Sequence, residues 1–109
     1  MKTITVQIGN TDNKLTQHEW AQLIFQVKNT LDIFANEIHF SGGSSYDAPW
    51  QNACFVAEVN DDKLPVIRAM FSTAAYLYKQ DSIAMTTGDT EFIEGDVCAL
   101  QSISSPTRT

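Results

Sequence analysis

Positive charge is scarce in this chain. Seven lysines and arginines stand against thirteen aspartates and glutamates, a net charge of −6 over 109 residues. Proteins that grip DNA or RNA by its phosphates present basic surface, so no direct nucleic-acid contact is expected. Docking on an anionic membrane is set aside on the same ground. No apolar run approaches the ~18 residues that crossing a bilayer takes. Met1-Lys2 leads straight into a strand-like run with no apolar leader core, which reads as a cytoplasmic chain without a secretory signal. Cysteine is nearly absent too. Cys54 and Cys98 form no C-x-x-C and have no ligand-like neighbours. Cys54, inside the apolar run 53–59, reads as a small buried hydrophobe, and both thiols read as free.

What is present fits a soluble globule. Hydrophobic residues make up 43% and charged ones 18%, which excludes a disordered tail. The length suits one domain, expected over 1–103, with 104–109 as a frayed tail. Thr3–Ile8 alternates, with Ile4, Val6 and Ile8 on one face, and so reads as a strand with one buried side. Thr16-Gln17-His18-Glu19 is a capping box, and Leu15 and Trp20 flank it as a hydrophobic staple. Trp20, Leu23, Ile24, Val27, Leu31 and Phe34 then carry helical spacing to about Ala35-Asn36.

Glu37–Phe40 reads as a short second strand and 52–59, apolar on both sides, as a central third. A second helix starts after Asn60-Asp61-Asp62, tolerates Pro65 in its first turn and buries Leu64, Ile67, Met70 or Phe71, Ala74, and Leu77 or Tyr78. Residues 82–86 make a fourth strand. Residues 90–93 suggest a short return or continuation, and 97–103 an added edge strand. The β-α-β-β-α-β order predicts an α+β fold of ferredoxin-like type, an antiparallel sheet with both helices on one face. If Phe55, Ala57 and Val59 lie on the other face, that face is apolar enough to call for a second copy. A homodimer or larger even oligomer is therefore expected.

The connection 41–51 holds the most chemistry. Gly42 and Gly43 permit positive φ, which lets successive N–H groups converge on an anion. Ser44 and Ser45 add hydroxyls. Tyr46 and Trp50 can stack on a planar ring, Asp47 can accept from a sugar or base, and Gln51 and Asn52 offer amides. The competing reading is a β–β connection whose Trp50 plugs the core edge. The segment is neither a P-loop nor a dinucleotide or nucleophile-elbow motif. His39, beside Glu37, is a candidate ligand contact or general base, against a plain solvated histidine. His18 reads as surface at a helix start. The histidines lack metal spacing, no E-x-x-H joins them to a carboxylate, and no metal or cofactor is expected. A Ser44–His39–Asp47 assembly has sequence proximity alone. Arg68 and Lys79 are candidate phosphate contacts, although Lys79 also suits a helix C-terminal dipole. Asp89, Glu91, Glu94 and Asp96 read as a solvated acidic edge or as a surface that mimics nucleic acid.

The segments 4–10 with 14–20, Ala48-Pro49-Trp50-Gln51-Asn52-Ala53-Cys54, and Gln80-Asp81-Ser82-Ile83-Ala84 resemble small proteins of bacteria and their phages. The likeness spans about residues 3–93, and its motifs are not catalytic signatures. It implies a stand-alone cytoplasmic protein of phage or mobile-element origin and transfers no site residue. Short acidic phage proteins resemble anti-defence factors, some of them sponges for nucleotide signals and others protein blockers. Three functions follow as expectations. One is a non-enzymatic module that captures a small anionic or nucleotide-type ligand through His39, Gly42, Gly43, Ser44, Ser45, Tyr46, Trp50, Gln51, Arg68 and Lys79. Another is an acidic inhibitor of a host protein. The third is a small enzyme with His39 as general acid or base.

Overall fold

The computed structural model describes residues 1–10, 15–44 and 51–98. Over these the chain is α+β. Strand β1 (Lys2–Gly9) precedes helix α1 (Gln17–Phe34), then strands β2 (Glu37–Gly43) and β3 (Asn52–Val59). A 3-10 turn (Asp61–Lys63) opens into helix α2 (Leu64–Leu77), and strand β4 (Ala84–Gly88) follows. The four strands form one antiparallel sheet in the order β2-β3-β1-β4.

Register decides which face each residue takes. Ile4 lies opposite Ala57, Val6 opposite Phe55 and Ile8 opposite Ala53. These residues are buried, together with Val59, against Leu23, Val27 and Leu31 of α1 and Ile67, Phe71 and Ala74 of α2. The intervening residues of β1 and β3 (Thr3, Thr5, Gln7, Cys54, Val56 and Glu58) are exposed or half-buried. Phe55, Ala57 and Val59 therefore face the helices. The apolar open face that called for a second copy is not formed as expected, because strict alternation along β3 turns Phe55, Ala57 and Val59 to the helices and leaves Cys54, Val56 and Glu58 on that side. Cys54 goes with that set and is half-buried rather than core, while Cys98 is exposed.

The helix starts follow local rules. Thr16 Oγ1 accepts from the Glu19 N–H at 3.2 Å, and Glu19 Oε1 accepts from the Thr16 N–H at 3.0 Å. Leu15 and Trp20, the staple positions, both pack into the core cluster. Asp61 and Asp62 place negative charge ahead of α2, where the helix dipole favours it. Pro65 occupies the first turn of α2, where its missing N–H costs nothing. Of the alternatives in its stripe, Phe71 and Tyr78 pack inward, and Met70 and Leu77 are exposed.

Several boundaries differ from expectation. β2 runs on through Gly42-Gly43, because both continue to pair with β3. β4 starts two residues late, at Ala84. Residues 90–93 form no strand, and Val97-Cys98 is helical rather than the start of an edge strand. The remainder of that expected strand and the tail 104–109 lie outside the described residues. No helix among the described residues is long and apolar enough to cross a membrane.

The capping box ties stability to pH. The hydrogen bonds with Thr16, aided by nearby Lys79 and His18, hold the Glu19 carboxyl below its ordinary range. A lowered folded-state pKa gives stability that is present above the unfolded pKa and lost as pH falls through the folded one. Wild type should therefore exceed Glu19→Gln in denaturant midpoint at neutral pH, and the gap should close on acidification. Thr16→Ala should cost about 1 kcal/mol at neutral pH in the same titration.

Candidate functional site

β1 and β2 end, and β3 and β4 begin, at one end of the sheet, which gathers Asn10, Ser44, Gln51 and the residues just before β4. A cluster of side-chain amides there ties Asn10, Leu15 and Gln17 to Gln51. The Asn10 N–H donates to the Gln51 carbonyl at 2.8 Å. Asn10 Nδ2 donates to Gln51 Oε1 and to the Leu15 carbonyl, each at 3.2 Å. The Leu15 N–H returns a bond to Asn10 Oδ1. Gln51 and Gln17 exchange reciprocal amide bonds, at 2.8 and 3.2 Å. Asn10 and Gln51 are 2% and 4% exposed, so the network is built into the core margin. Buried amides of this kind are retained when their partners are complete.

Lys79 stands at the same end. It is a non-glycine residue with positive φ, 55°. The Gln80 N–H reaches the Ala75 carbonyl at 2.8 Å and the Lys79 N–H the Tyr76 carbonyl at 3.3 Å. This is a Schellman close of α2 with lysine where glycine is usual. The left-handed backbone costs a side chain roughly 1–2 kcal/mol relative to glycine. Lys79 lies just beyond α2, whose last turn holds no basic residue, so its expected place within that turn is not taken. It is near enough to Glu19 to pull on that carboxylate, which places it beside the start of α1.

The glycine-serine segment is used differently from its expected anion nest. Neither Gly42 nor Gly43 takes a positive φ. Gly43 lies against β3, where a Cβ would run into the Asn52 carbonyl oxygen and the Ala53 Cα. On Gly42 an added Cβ would meet the tip of the Phe40 ring at 2.8 Å. Ser44 closes the base of the loop. Its N–H donates to the Asn52 carbonyl at 3.0 Å, and its Oγ accepts from the Asn52 N–H at 3.0 Å. Beside it, Trp20, Ile24, Gly43, Ser44, Asn52 and Phe55 border a hollow of about 220 Å³. That is below the roughly 300 Å³ at which small-molecule pockets begin. Ser45, Tyr46, Asp47 and Trp50 lie outside the described residues.

The remaining expected residues scatter. Arg68 lines a separate hollow of about 240 Å³ between α2 and the β4 side, with Phe71, Ser72, Asp81, Ser82 and Met85. His39 is exposed on β2, at a bulge that leaves it unpaired between Ile38, opposite Ala57, and Phe40, opposite Val56. It stands beside two carboxylates, Glu37 and Glu58, and apart from the amide cluster. Gln51 and Lys79 are thus the expected residues that join the amide end, with Gly43 and Ser44 at its margin. Reading along the sequence missed Asn10 and Gln17, which meet Gln51 only through the fold. It missed Glu58 for the same reason, since its nearness to His39 comes from register rather than spacing. Comparison with protein-family models, curated proteins and solved structures finds no match.

Gln51→Leu removes the partner of the buried Asn10 amide and of the exposed Gln17 amide, a loss of about 1–3 kcal/mol that falls mainly on Asn10. Urea unfolding should show this loss, and a variant as stable as wild type would remove the network's structural role.

Proposed function

We propose that the chain is a binding protein of ferredoxin-like build that captures a small anionic or nucleotide-type ligand at the amide end of its sheet. The element order and the strand order β2-β3-β1-β4 support that build. The observation that carries the ligand reading is Lys79. The cation is kept in a backbone conformation that glycine would adopt more cheaply, and such strained positions gather at functional sites. The amide cluster supports it by tying Gln51 to the start of α1, the helix end beside which that lysine stands. In this reading Lys79 meets the anionic group, Trp50 and Tyr46 stack on the ring, and Ser44 and Ser45 flank it. Arg68 and His39 drop out of the pocket, since they stand in other places. Assembly into an even oligomer belongs to the same proposal.

A second reading rests on the segment after β4. Phe92, Ile93 and Val97 are 80%, 87% and 67% exposed. They are interspersed with Asp89, Glu91, Glu94 and Asp96. Large apolar side chains held in water within an acidic run suit a contact with a basic protein partner. Under that reading the chain acts as a blocker of a host protein.

Titration with adenosine and guanosine mono- to triphosphates, followed by tryptophan fluorescence, tests the first reading. The expected result is saturable quenching that weakens at least tenfold in Lys79→Gly and vanishes in Trp50→Ala. Lys79→Gly should at the same time gain about 1 kcal/mol of stability, because the strain is relieved. Quenching that survives both substitutions, or none at millimolar nucleotide, would sink the proposal.

A further inference from the structure

Two glutamates stand directly opposite each other on neighbouring strands, Glu37 on β2 and Glu58 on β3. Like charges in that position destabilise a sheet. The β-bulge after Ile38 adds His39 to the pair, and a bulge is a common device for re-aiming a side chain. A nitrogen of His39 and a carboxylate oxygen from each glutamate all lie within 4.8 Å of one another. Glu58 is half-buried, and Glu37 and His39 are exposed. On the other side of Glu58, Thr3 is its partner in register, and the Thr3 hydroxyl is buried without a hydrogen-bond partner. Oxygen atoms therefore run in a row across three strands, with the His39 imidazole beside them.

We propose that Glu37, His39 and Glu58 bind a divalent transition-metal cation of zinc-like character. One imidazole nitrogen with two carboxylate oxygens suits zinc, manganese or cobalt. Calcium takes six to eight oxygens and copper(I) takes sulfur ligands, so neither matches this donor set. Three protein ligands leave at least one coordination position for water or for a ligand from a second molecule. The ion removes the repulsion between the two glutamates, which explains why the strands tolerate that pairing. The site lies on the sheet face away from the helices and at the far end from the amide cluster, so it stands or falls independently of the nucleotide reading.

Calorimetric titration of the full chain with zinc at neutral pH tests the site, alongside His39→Ala, Glu58→Gln and His18→Ala. One ion per chain should bind. Affinity should fall at least tenfold in His39→Ala and Glu58→Gln and stay unchanged in His18→Ala. Zinc should also raise the wild-type Tm, since it binds the folded state, and leave that of His39→Ala unmoved. Far-UV circular dichroism of each variant separates lost binding from lost folding. No binding at millimolar zinc would overturn the proposal. Binding that survives both ligand substitutions would overturn it as well. So would an intense near-ultraviolet thiolate band with cobalt, which would place the ion on cysteine.

Discussion

The register of β3 between β1 and β2 is the constraint from which the rest follows. With Ala57 opposite Ile4, every apolar residue of β3's buried set points at the helices. The same register sets Glu58 against Glu37 and Thr3 on the other face. It also brings Gly43 against Ala53 and delivers Gln51, one residue before β3, to the side of Asn10. A slip by one residue would turn Phe55 to water and Glu58 into the core, and it would dismantle the amide cluster. Core, open face and loop end are thus three consequences of one pairing.

At the loop end the side-chain amides serve the fold. Asn10, Gln17 and Gln51 spend their amides on one another, so they hold connections in place rather than meet a ligand. The capping box fixes the first turn of α1 beside them. Lys79 differs from them, an exposed cation at a positive φ where glycine would be less strained. The proposed ligand site rests on this pairing of a rigid surround with one exposed charge.

The elements were legible wherever local chemistry decides them. The Thr16 box set the start of α1, and its 3.6-residue spacing gave the buried face. The alternation of Ile4, Val6 and Ile8 identified the inner side of β1. Legibility failed where partners come from elsewhere in the chain. Gly42-Gly43 looked like loop, but glycine in an edge strand is held by its neighbours, here Phe40 and the Asn52–Ala53 backbone. The run 52–59 looked apolar on both sides, and register then made one side Cys54, Val56 and Glu58. Gln51 was read as a ligand contact because its type allows it. Its use as a tie between two connections depends on Asn10 and Gln17, which no spacing rule links to it.

The claim at the centre of this account is that the chain is built to hold a small charged ligand at the amide end. Native mass spectrometry of the protein purified from bacterial cells, with mass analysis of small molecules released on denaturation, tests it most directly. The account predicts an even oligomer that carries a stoichiometric anionic compound with a planar ring, lost from Lys79→Gly. A ligand-free chain from the same preparation would contradict it and shift the function to the exposed acidic segment around Phe92 and Ile93.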